Sequence, residues 1–140
     1  MTIGRARAAL SLLWVGAGGP LLLLMVARSV AGFYGKDNNE LLEVWAWVAT
    51  LLLPMLGLIV AAWSAGGSHG DDKPVRSMAV FWGALLFSAF YLATLYLVVV
   101  LEPPAPDPWA TVFRTSGWYL GFLQALVVAA IGKFFIENVH

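Results

Sequence analysis

Few residues in this chain combine a reactive or hydrogen-bonding group with an apolar setting, and they are the candidates for function. Gln124 stands inside a long apolar run. Its amide carries two N–H donors and an acceptor that lipid cannot satisfy, so it must meet another helix or an aqueous space. The first reading is an interhelical hydrogen bond of about 0.6 to 2 kcal/mol, with Thr50, Tyr91, Thr94 and Tyr96 as partners; the second places Gln124 on a pore wall. Lys133 is the one charged residue within the same run. Its stem is long enough to carry the ammonium to the headgroups, with Glu137 one turn on as an ion-pair partner; the alternative is an aqueous pathway. Pro54 interrupts another apolar run and cannot donate to the Thr50 carbonyl, which predicts a bend and a freed acceptor at membrane depth. Pro20, after Gly18-Gly19, predicts the same in the first run.

Gly117, Gly121, Ala125 and Ala129 recur every four residues, and Lys133 continues the line. On a helix this spacing makes a ridge of small residues that lets backbones approach closely. Gly57 and Ala61 make a shorter ridge. Such ridges either pack the second and fourth runs within one bundle or pair two subunits, and Val127 is expected to face lipid.

The inventory for catalysis is thin. There is no cysteine, and the two histidines, His69 and His140, supply neither axial haem ligation nor a three-histidine zinc site. Asp71 and Asp72 beside His69 read as a solvated loop, and no phosphate cradle or nucleophile elbow occurs. A non-enzymatic protein is expected, with no cofactor and no metal.

The elements that position these residues follow from composition. Of 140 residues 61% are apolar and 11% charged, and the mean hydropathy is +0.82, too apolar for a protein surrounded by water. Eight cations balance eight anions, which leaves no basic excess for nucleic acid. Four runs meet the roughly 20 residues that a bilayer core of about 30 Å requires: residues 8–27, 44–63, 78–101 and 117–136. They are too long for barrel strands and show no period-2 alternation. The fold class is all-α, a four-helix integral membrane bundle in a single domain spanning 1–140.

Between the runs, Gly32 to Glu40 is turn-rich, with the second helix starting near Asn38 and Asp37 and Glu40 at capping-box spacing. Gly66 to Pro74 is a polar loop with Pro74 placed to open the third helix. Pro103 to Pro108 cannot be helical throughout. Asp107-Pro108 then starts a helical stretch from Trp109 to Thr115, either separate or leading into the fourth run. A signal-peptide reading of the first run competes, but 20 apolar residues exceed the usual 7 to 15. Arg5, Arg7, Lys73, Arg76 and Lys133 fall on one side against Arg28, Lys36 and Arg114 on the other, which predicts both termini in the cytoplasm. Trp14, Trp63 and Trp82 read as one interfacial belt, and Trp45, Trp47, Trp109 and Trp118 as the opposite one.

Three fragments carry a family likeness: Leu51-Leu52-Leu53-Pro54, Phe87-Ser88-Ala89-Phe90-Tyr91-Leu92, and Phe122-Leu123-Gln124-Ala125-Leu126-Val127 leading to Gly132-Lys133-Phe134-Phe135. Together they resemble small bacterial four-helix membrane modules that accompany conflict and defence genes, over about residues 43–136. The resemblance implies action by membrane disruption, location in a bacterial inner membrane and no catalytic residue. The expected function is a self-associating channel, pore or membrane effector, with the bilayer and further copies as partners. Its rival is an anchoring or assembly subunit packed against another membrane protein.

Overall fold

The computed structural model describes residues 1–34, 38–65, 73–101 and 109–139. These form four helices: α1 (Ile3–Val30), α2 (Asn38–Ala65), α3 (Met78–Val100) and α4 (Trp109–Val139). Each is long and apolar enough to cross a membrane. Helices are the outcome because a backbone in hydrocarbon must satisfy its own N–H and C=O groups. The four-helix membrane bundle expected from hydropathy is therefore the fold.

Helix ends depart from the expected ones where local chemistry decides. α1 stops through a left-handed Gly32 (φ +71°), with Gly32 N–H donating to the Ser29 carbonyl at 3.1 Å and Phe33 N–H to the Arg28 carbonyl at 2.9 Å. This is a Schellman closure, a conformation that a Cβ would strain. Arg28 lies over the Phe33 ring at 4.7 Å, where such closures usually place an apolar contact. α3 starts at Met78 behind Ser77, whose hydroxyl accepts from Val80 N–H at 3.4 Å. Pro74 therefore does not open α3. It lies in an antiparallel bridge with Thr2, flanked by bonds from Ile3 N–H to Lys73 O (2.9 Å) and Val75 N–H to Met1 O (3.1 Å). α4 is continuous from Trp109, so the stretch to Thr115 belongs to it. Asp37, Asp107, His69, Asp71, Asp72, His140 and the Pro103–Pro108 run lie outside the described residues, as does the Glu137 side chain.

The helices alternate in direction. Trp63 near the end of α2 donates to Ser11 near the start of α1 at 2.7 Å, and Phe81 of α3 meets Phe134 of α4 at 5.9 Å between ring centroids. α4 packs against α3 and α2, and α1 against α3 and α2, so the order around the bundle is α1, α2, α4, α3. We call the end where α1 and α3 begin the near end, and that where α2 and α4 begin the far end.

The interior is filled. Leu10, Trp14, Leu52, Met55, Tyr91 and Leu95 are fully buried, and Trp14 lies against Tyr91 with ring centroids 6.0 Å apart. Trp14 is thus core, not belt. Trp47 is buried as well, donating to the Ser116 hydroxyl at 3.1 Å, whereas Trp63, Trp82 and Trp118 are exposed as belt residues should be. Val127 is buried too, contrary to its expected lipid-facing position.

Candidate functional site: the cleft between α2 and α4

Pro54 sets the site. α2 runs unbroken through it, yet the ring nitrogen has no hydrogen to offer the Thr50 carbonyl. Gln124 of α4 fills that role, its Nε2 donating to Thr50 O at 2.9 Å and standing 3.5 Å from Leu51 O. Helical side chains lean back toward their N-terminus, so the Gln124 amide sits about a turn closer to the far end than its own Cα. The hydroxyls named as possible partners go elsewhere. Thr50 and Thr94 donate back to Ala46 O (2.8 Å) and Phe90 O (2.9 Å) within their own helices. Tyr91 crosses the core to donate to Leu51 O at 3.0 Å, and Tyr96 donates to Ala17 O at 2.6 Å.

A pattern emerges that the sequence did not suggest. Leu51 and Ala17 each stand three residues before a proline, Pro54 and Pro20, and each accepts a tyrosine hydroxyl from α3. Both proline-bearing helices are therefore held by phenols that reach backbone acceptors at the disturbed turn. The visible signal was two tyrosines five apart on the third run, but nothing in spacing alone paired them with prolines.

Toward the far end the space between α2 and α4 opens into a cleft of about 340 Å³ whose lining includes Trp47, Thr50, Leu51, Gly117, Gly121 and Gln124. Its mouth carries an ion pair, with Arg114 Nη2 at 3.0 Å from both carboxylate oxygens of Glu43. A second opening of about 560 Å³ shares Arg114, Gly117 and Gly121 and continues past Trp118, Phe122 and Ala125. The ridge is consequently the floor of a groove more than a helix contact. A Cβ on Gly117 would touch Trp47 at 3.8 Å, while one on Gly121 would meet nothing within 4 Å. Ala125, Ala129 and Lys133 are exposed, as are Gly57, Pro54 and Ala61 on α2. Packing α2 onto α4 through both ridges is thus not what forms.

Sequence reasoning passed over three groups. Arg7, taken as a flank, is 5% exposed; Trp14 Nε1 and Ser88 Oγ are buried with no hydrogen-bond partner among the described residues. Near the far end, burial raises the Tyr34 phenol above its ordinary pKa of 10.0, against an opposing pull from Arg28. Among the described residues no three potential metal ligands gather.

No protein-family profile and no solved structure matches the chain. Over 116 residues it is 27% identical to the two pore calcium channel protein 1 of Hordeum vulgare. That stretch covers 83% of this chain and 13% of the channel, so the chain spans a small part of that protein's length. The four long apolar helices decide the class. The chain is a multi-pass membrane protein.

Proposed function

We propose that the protein is a channel-type membrane protein that works as an assembly of its own copies. The α2–α4 cleft carries this reading. It lines up polar groups from the Glu43–Arg114 pair, past Thr50, to the Gln124 amide, and it opens sideways, so one bundle supplies one wall of a pathway. Because the bundle axis is filled, a pathway has to run between copies with their clefts facing a shared space. The exposed lower half of the ridge, Ala125 and Ala129, offers close helix contact for that assembly. Similarity to a calcium channel supports the class without specifying the ion, and no residue is assigned a catalytic role. The resemblance to conflict-associated modules fits a conducting effector.

Reconstitution tests it. Purified protein in phospholipid vesicles should pass small cations, with flux rising more steeply than linearly with protein density. In Gly121→Cys, introduced into this cysteine-free chain, a thiol reagent should reduce that flux. Verified incorporation without flux at any density overturns the proposal. A fixed foreign membrane protein co-purifying with the native chain would favour the anchoring role instead.

A further inference from the structure

We propose that the cleft holds one phospholipid of the far-end leaflet, with its phosphate on Arg114, its ammonium on Glu43 and one acyl chain laid along Gly117 and Gly121. Three independent observations select this occupant.

The first is charge. Glu43 and Arg114 stand side by side at the mouth with side chains 47% and 69% exposed, at the far end of helices that cross the bilayer. A single guanidinium nitrogen makes both bonds to Glu43, so the remaining N–H donors of Arg114 are available to an anion. The carboxylate retains acceptor capacity for an N–H donor. Adjacent opposite charges complement a zwitterionic headgroup bearing phosphate and a primary ammonium better than a singly charged one.

Length is the second. From Arg114 to Gln124 the groove follows ten residues of α4, about 15 Å of helix. That is half of a hydrocarbon core of about 30 Å, hence the depth of one leaflet. At its inner end the Gln124 amide, donating through Nε2 to the Thr50 carbonyl, marks where an apolar chain must stop.

Width is the third. Trp118 and Phe122, 77% and 75% exposed, follow Gly117 and Gly121 and line the second opening. The facing wall is Trp47, Thr50 and Leu51 of α2. A hydrocarbon chain is thinner than a helix of about 10 Å and needs no helix-wide gap between α2 and α4. Among the described residues a Cβ at Gly121 would meet nothing within 4 Å, as at most of the other helical glycines.

The inference concerns the same cleft, which does not hold a lipid and pass ions at once; it does not rest on conduction, because retained lipid is measured directly. The full chain would be delipidated in mild detergent, offered phosphatidylethanolamine or phosphatidylglycerol, and examined by native mass spectrometry. One phosphatidylethanolamine per chain should be retained. Gly121→Trp, with its melting measured alongside to establish that the fold holds, should lose retention of both lipids. Arg114→Gln should weaken both about tenfold, the scale of one charge-assisted hydrogen bond. Glu43→Gln should weaken phosphatidylethanolamine alone, and both exposed substitutions keep the fold. Equal retention by wild type and Gly121→Trp overturns the proposal, as does equal preference for the two lipids in wild type and Glu43→Gln. A lipid-free dimer that Gly121→Trp dissociates would show the slot seating a second copy, and would overturn it equally.

Discussion

Gln124 and Pro54 act as one unit, each explaining a residue type that is otherwise costly in a membrane helix. The proline leaves the Thr50 carbonyl without its helical donor, and the amide supplies one from the neighbouring helix. Removing the amide alone should strand that acceptor, so Gln124→Leu should cost about 1 to 2 kcal/mol, read as unfolding free energy in micelles. In a Pro54→Ala background the restored N–H of residue 54 bonds Thr50 itself, and the same substitution should then cost little. A cycle of the four proteins measures the coupling directly, and additivity would show that the two residues do not share the carbonyl. Half of this unit was legible beforehand. Chemistry required a partner for Gln124 and a donor for Thr50, but a sequence holds no distance between α2 and α4. Hydroxyl side chains looked equally suitable as partners until Thr50 and Thr94 turned back on their own helices.

At the scale of elements, each span was legible and its inward face was not. A soluble helix declares its buried face by polarity, whereas in a membrane every face is apolar and the declaration is missing. That is why Trp14 and Trp47 read as belt residues and Val127 as lipid-facing, when all three are buried. Small residues mislead similarly, since they allow close contact without ensuring it. On α4 the ridge borders Trp47 at Gly117, floors an open groove at Gly121 and is exposed at Ala125 and Ala129. Its parts should therefore respond differently to substitution. Paired Ala125→Leu and Ala129→Leu changes should lower the oligomer mass of detergent-extracted protein and leave monomer melting nearly unchanged, because the added side chains enter no packed space within the bundle. Val127→Ala should do the reverse, costing about 1 to 3 kcal/mol of bundle stability through a cavity while sparing the oligomer. Unaltered oligomer mass in the double variant would remove α4 from any contact between copies.

Over the whole molecule, alternating helix direction turns scattered charges into two unlike ends. Arg5, Arg7, Lys73, Arg76 and Lys133 belong to the near end, whereas Arg28 and Arg114 share the far end with Glu40 and Glu43. Cations concentrated beside the spans hold a membrane segment on the cytoplasmic side, because moving them across the bilayer during insertion is costly. The near end, where α1 begins and α4 ends, should therefore be cytoplasmic. A chain without cysteine makes the test direct, since each introduced thiol is the sole target. With a membrane-impermeant maleimide on intact cells, Ala105→Cys should label and Gly70→Cys should label only after lysis. The reverse pattern would place the near end outside and would show that the charge bias is overruled. Labelling of both in intact cells would mean that α3, the helix separating the two positions, does not cross the membrane. Orientation also fixes which leaflet the cleft addresses: with the near end inside, Glu43 and Arg114 meet headgroups of the outer leaflet, and lipid supplied to that leaflet alone should suffice to fill it.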